Sequence, residues 1–274
     1  MSRPFEIRVR PIPGWLDWKR LLGPGSWESI ELADGRLELT GQLGRKAAAD
    51  LSARLRGVGI GGSLLEFEVR PPLHRKELRQ AATEEARRYR KGSIGFSRKG
   101  TRLDAEGKFS LTPESLALEI GERAGGMKVI DACAGAGGNA IGFARAGCRV
   151  LAIELDEARI AMARHNAKVY GVEGRIEFVC GDAVELVPGQ KADLLFIDPP
   201  WGERYDKARV ELGDLAPCER LLAASSHIDR VWMKVPPSFD PVTVPGCTVE
   251  AFFGSGSGDS RRVKFLLVKS GIPC

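Results

Sequence analysis

The chain has 274 residues, 43% hydrophobic and 28% charged, with a net charge of +5. That balance suits one large domain, or a medium one with a small attachment, and excludes a disordered chain. No run approaches 18 uncharged apolar residues, residues 1–6 lack the apolar core of a signal peptide, and the six cysteines contain no C-x-x-C pair, so a cytoplasmic protein with reduced thiols, no membrane partner and no metal is expected.

Residues 1–83 carry weak strand signals at 5–9, 29–32, 36–40 and 64–69 around a helix at 42–56, a small α/β domain and a candidate RNA-binding unit. A basic amphipathic helix follows at 74–91, and a loop at 92–100. Residues 70–102 hold 11 basic and 3 acidic side chains, whereas 101–274 sum to −3. Arg87, Arg88, Arg90 and Lys91, near the end of that helix, are the expected contacts to RNA phosphates, with a solvated helix face as the alternative.

From Met127 onward, β-type and helical runs alternate. Strands are expected at 127–131, 149–154, 175–179, 192–197 and 230–235, and helices from the Gly-rich turn to 146 and over 157–170. Runs at 249–253 and 263–268 read as an antiparallel pair. Such alternation predicts an α/β fold with a doubly wound, mostly parallel sheet.

The chemistry is expected at strand ends. Residues 131–139, DACAGAGGN, place glycines 135, 137 and 138 between a strand and a helix, where a ligand can approach the backbone. Glu154, nineteen residues past Gly135, ends the next strand and can accept hydrogen bonds from ribose hydroxyls. These features alone suit either NAD or S-adenosylmethionine. Asp182, just after the third strand, fits a carboxylate receiving an adenine amino group. Asp198-Pro199-Pro200-Trp201 after the fourth strand separates the two cofactors. An exocyclic base amine is a poor nucleophile because its lone pair is delocalised into the ring. Accepting its two N–H groups, by the Asp198 carboxylate and the Pro199 carbonyl, would favour the pyramidal nitrogen needed for attack. Trp201 offers a face on which a base can stack.

Residues 102–114 (RLDAEGKFSLTPE), 131–139, 153–172, 175–182 and 198–202 together resemble the trimethylguanosine synthase family over about 85–270. The resemblance implies a Rossmann-like class I S-adenosylmethionine-dependent methyltransferase with a seven-stranded sheet over 127–274, preceded at 84–126 by the basic helix and a cofactor-covering segment. It implies Phe109, Ser110, Thr112 and Pro113 near the methionine moiety, and Asp131, Gly135, Gly137, Gly138 and Asn139 along the cofactor. Glu154 and Leu155 would take the ribose side, Asp182 and Ala183 the adenine, while Asn166 and Trp201 would meet the base. This chain has Asp198 where the family has serine, Lys108 where it has tryptophan, and Glu203 where it has a second glycine.

The expected function is RNA guanine-N2 methylation. Amino methylation of adenine, cytosine or protein glutamine is the first alternative, and S-adenosylmethionine-dependent RNA binding without turnover the second. An NAD oxidoreductase is the most distant. His165 and His227 have no metal spacing, and Cys133 is read as a packing residue.

Overall fold

The computed structural model describes residues 4–105, 107–202 and 204–271. Strands β1 (Phe5–Ile12), β2 (Ser26–Glu31), β3 (Leu37–Leu43) and β4 (Glu66–Arg70) form an antiparallel sheet in the order β2-β3-β1-β4. Burial alternates along β1, so Phe5, Ile7 and Val9 face a core completed by Leu51 and Leu55 of helix α1 (Arg45–Leu55). Helix α2 (Arg75–Tyr89) packs along α1 and opens with a capping box, the Glu77 carboxylate accepting the His74 amide at 3.0 Å.

The second unit is a seven-stranded sheet. Helix α3 (Glu114–Ala124) precedes it, followed by β5 (Lys128–Asp131), α4 (Gly138–Arg145), β6 (Arg149–Glu154), α5 (Glu157–Tyr170), β7 (Ile176–Cys180) and β8 (Leu194–Ile197). Helix α6 (Cys218–Ala224), β9 (Arg230–Val235), β10 (Thr248–Phe253) and β11 (Val263–Gly271) complete it. The strand order is β10-β11-β9-β8-β5-β6-β7, with β11 running against its neighbours. Helices cover both faces, so the central strands are apolar throughout; every residue of β8 is buried. Asp156 caps α5 by accepting the Ala158 and Arg159 amides, and Gly171, at φ 68°, ends it. The chain runs outward from β5 through β6 to β7, then returns to build β8 and β9 on the other side. Ligands in such sheets bind at that reversal, beyond the carboxyl ends of β5 and β8.

The smaller unit docks at this same edge. Because β11 opposes β9, the loop 254–262 between β10 and β11 rises at the carboxyl end of β9. Phe253 belongs to the first unit's core, and Arg20 donates to the Ser260 and Gly254 carbonyls at 2.9 and 3.1 Å. Asp259, wholly buried, accepts the Ser93 amide and hydroxyl at 2.7 and 2.9 Å, and the Gly258 amide donates to the Lys91 carbonyl. The end of α2 is thereby clasped to the carboxyl edge of the larger sheet.

Helix α3 lies within the stretch read from sequence as cofactor cover, yet it packs as a layer of the catalytic core. Leu116, Ala117 and Ile120 meet Ala140, Ile141 and Ala144 across a glycine contact between α3 and α4. A side chain at Gly142 would run into the Ala117 carbonyl, and one at Gly121 would lie 2.6 Å from the Gly142 carbonyl. Gly142→Ala should therefore lower the unfolding free energy by about 1–3 kcal/mol, through overpacking against backbone. Urea unfolding checks this; an unchanged midpoint would mean the helices part without strain.

Candidate active site

The β5–α4 turn is built by conformations that favour glycine. Gly135 and Gly137 take φ of 53° and 90°. The Gly135 amide donates to Glu154 Oε2 at 2.7 Å, and the Asp156 amide to Oε1 at 3.0 Å. Glu154 is thus held at the end of β6 with acceptor capacity remaining on both oxygens. Leu155 beside it is 73% exposed, an uncovered apolar side chain next to the Glu154 carboxylate. Asp182 caps the short helix that begins at Ala183 by accepting the Val184 amide at 2.9 Å, and Ala183 is buried.

The cover segment lies directly on this turn. A Cβ on Gly138 would be 2.6 Å from Leu111, so 111–113 and the turn are in close apposition. Ser110 is exposed, Thr112 is buried and Pro113 precedes α3; the Phe109 side chain lies outside the described part of the molecule. Glu114 anchors the segment, accepting from Arg145 at 2.7 Å and from the Tyr170 hydroxyl at 2.9 Å.

Seven buried side-chain nitrogen or oxygen atoms lack a hydrogen-bond partner among the described residues. Four of them are Thr112 Oγ1, both Asp131 carboxyl oxygens and Asn139 Oδ1. Orphaned buried polar groups are costly, and their concentration around one turn marks a cradle shaped for a polar ligand. Asp131 at the end of β5 is wholly buried. Loss of water, then the Asp198 and Glu154 carboxylates, push its carboxyl up to about 8. A cationic ligand group would relieve both the missing contacts and the repulsion. S-adenosylmethionine carries an ammonium and a sulfonium, so these residues fit it. Burial and Asp131 push the Cys133 thiol well above its usual range, consistent with a packing role.

Asp198 follows β8, and two donors converge on one of its oxygens. Asn139 Nδ2 lies 2.8 Å and Lys234 Nζ 2.7 Å from Oδ2. Oδ1 has no protein hydrogen bond among the described residues, and no backbone amide there bonds the Pro199 carbonyl. Lys234, only 4% exposed, comes from the carboxyl end of β9. Its carbonyl accepts the Trp201 indole N–H at 3.3 Å, and its ammonium sits 5.1 Å from the Trp201 ring centroid. Trp201 meets Tyr205 edge to face at 5.7 Å, and both rings line a cleft of about 320 Å³.

Lys234 was not among the residues expected from sequence, although a lone lysine in the buried run Val231–Val235 is itself a signal. Asn166 has another role from the one expected. Its oxygen accepts the Arg102 amide at 2.8 Å, and its NH2 group donates to the Arg102 and Ala136 carbonyls. It ties the cover segment to the glycine turn and has no N–H left for a base. Arg88 likewise pairs with Asp50, Glu84 and Glu85, anchoring α2, whereas Arg87, Arg90 and Lys91 are exposed.

Residues 126–219 match the model of the RNA cap guanine-N2 methyltransferase family. The chain is 37% identical over 136 residues to a trimethylguanosine synthase of Schizosaccharomyces pombe, covering 44% of this chain and 56% of that one. It is 33% identical over 135 residues to ribosomal RNA small subunit methyltransferase J of Rhodopseudomonas palustris, covering 42% of this chain and 62% of the relative. The chain thus spans roughly three-fifths of these relatives' lengths. A methyltransferase-like crystal structure from Porphyromonas gingivalis W83 superposes with a TM-score of 0.51 at 18% identity, over 82% of this chain and 57% of that one. Residues 126–219 are thus similar to the RNA cap guanine-N2 methyltransferase family, and the seven-stranded sheet has the class I methyltransferase fold.

Proposed function

We propose that this protein methylates the exocyclic N2 amine of guanine in RNA. The observation that carries the reading is the one-sided engagement of Asp198: Lys234 and Asn139 hold Oδ2, leaving Oδ1 as the acceptor next to the Pro199 carbonyl and the Trp201 ring. Bound in the cradle of Asp131, Gly135, Gly137, Gly138, Asn139, Glu154 and Asp182, S-adenosylmethionine supplies an electrophilic methyl group. The protein's own residues then position and polarise the amine. Oδ1 and the Pro199 carbonyl accept its two protons and favour the pyramidal nitrogen, and Oδ1 takes up the proton released on attack. Trp201 fixes the plane of the base by stacking. This is catalysis by orientation and fixed electrostatics, which needs no covalent nucleophile.

Arg87, Arg90 and Lys91, clasped to the catalytic edge through loop 254–262, would hold the phosphate backbone, together with the N-terminal α/β unit. The five described cysteines are free thiols, and no described helix is long and apolar enough to cross a membrane.

Nucleoside analysis after incubation with RNA and isotopically labelled S-adenosylmethionine should place the label in N2-methylguanosine. Asp198→Ala should reduce that transfer about 100-fold or more while leaving cofactor affinity within a few-fold, because the lost interaction is strongest in the transition state. Label in methyladenosine, or a variant with undiminished turnover, would contradict the assignment.

Asp131 generates a second prediction. Its folded value of about 8 exceeds the ordinary 3.8, so the cofactor-free folded chain retains a proton that the unfolded chain loses. Its contribution to stability therefore declines as pH rises from about 4 to about 8. A cationic ligand favours the carboxylate, so cofactor binding at pH 7 should release close to one proton. Calorimetric titration in buffers of different ionisation enthalpy reads that number, and Asp131→Asn should abolish it. Buffer-independent heats for the unaltered protein would exclude Asp131 as the partner of the cofactor's charge.

A further inference from the structure

The cleft beside Asp198 has a charge pattern that distinguishes two kinds of guanine. Methylation at N7 makes the ring a cation, and such rings are recognised by open aromatic faces and unpaired carboxylates. An unmethylated guanine is neutral and stacks without either.

In this cleft the aromatic rings already carry cations. Lys207 Nζ is 3.1 Å from the Tyr205 ring centroid, and Lys234 Nζ 5.1 Å from that of Trp201. The Asp198 carboxylate, three residues before Trp201, is also neutralised, since Lys234 bonds it at 2.7 Å. Arg209, in the cleft wall, pairs with Glu211 at 3.0 Å and Asp240 at 2.8 Å. Among the described lining residues two carboxylates remain, Asp206 and Asp214, and each has an oxygen engaged by a backbone amide, of Ala208 at 2.7 Å and Glu211 at 2.8 Å. Against them stands Arg204 in the wall, whose guanidinium has no carboxylate partner among the described residues, while Lys207, outside the lining, lies over the ring of Tyr205. The described wall is close to charge balance, and a second cation entering it would meet two ammonium groups already seated on its aromatic rings.

We infer that the acceptor is a neutral guanine, unmethylated at N7, rather than a cationic 7-methylguanine; this rests on the guanine-N2 reading above. The departure at Asp198, where the family has serine, takes on meaning here. The carboxylate serves the amine, and its paired lysine removes the charge that would otherwise draw a cationic ring. Arg204 and Lys207, both exposed, are then available to the phosphates flanking the target rather than to the base itself.

Two measurements on the full chain test this. Binding of GMP and of 7-methyl-GMP, followed by tryptophan fluorescence, compares rings that differ in charge at equal phosphate content. GMP should bind at least as tightly, and Lys207→Met, which frees the Tyr205 face, should shift the ratio several-fold toward 7-methyl-GMP. Tenfold tighter binding of 7-methyl-GMP, or a ratio unmoved by Lys207→Met, would overturn the inference. Methyl transfer to two RNAs identical except for N7 methylation of the 5′ guanosine should favour the unmethylated one. Preference for the methylated RNA would overturn the neutral-ring inference and leave guanine-N2 chemistry standing. Absence of labelled guanosine from both would instead overturn the guanine-N2 reading.

Discussion

The ion pair between Lys234 and Asp198 is the constraint on which the rest of the site depends. A carboxylate beside the buried Asp131 would face strong repulsion with no cation at hand. Lys234 compensates that charge, and with Asn139 it fixes one oxygen, so the carboxylate presents a single acceptor in a set direction. The same lysine positions the aromatic wall, since its carbonyl receives the Trp201 indole and its ammonium lies against the Trp201 ring. One residue of β9 thus holds the Asp198 carboxylate and the Trp201 ring together. Asn139, at the start of α4, links that arrangement to the glycine turn of the cofactor cradle.

The smaller unit gains its relevance from where it is attached. The Arg20 contacts to 254 and 260, the Asp259 clasp on Ser93 and the Glu85–Arg262 pair at 2.9 Å all lie on the loop that rises at the carboxyl end of β9. A further contact, from the Gly61 amide to the Pro237 carbonyl, reaches the segment after β9. The basic end of α2 and the catalytic cleft consequently share one edge.

Much of this was legible in the sequence where local signals coincide. Strands β6 and β9 and helix α5 have the bounds expected, because an apolar run is flanked by turn or capping residues such as Asp156 and Gly171. Strand β2 was expected at 29–32 and lies at Ser26–Glu31; it is an exposed edge strand with no burial alternation to read. Helix α3 escaped notice because its short apolar stripe follows directly on the motif that dominates 102–114. The pairing of Lys234 with Asp198 could not be read from either residue alone. It follows from parallel pairing of β8 with β9, in register at Ile197 and Met233, which places the two next positions side by side. Asn166 and Arg88 illustrate the opposite limit, since residue type and neighbourhood suggested a ligand contact while partners distant in sequence engaged each side chain.

The central claim is that Lys234 acts through Asp198, and a double-mutant cycle on single-turnover methyl transfer tests it most directly. With saturating cofactor, Lys234→Met in the unaltered chain should slow transfer by about 10-fold to 100-fold, the scale of one charge-assisted hydrogen bond. In the Asp198→Ala background the same substitution should change the rate by less than about twofold, because coupled residues do not add. Equal losses in both backgrounds would show that Lys234 serves the fold or the cofactor independently of Asp198, and would contradict the account.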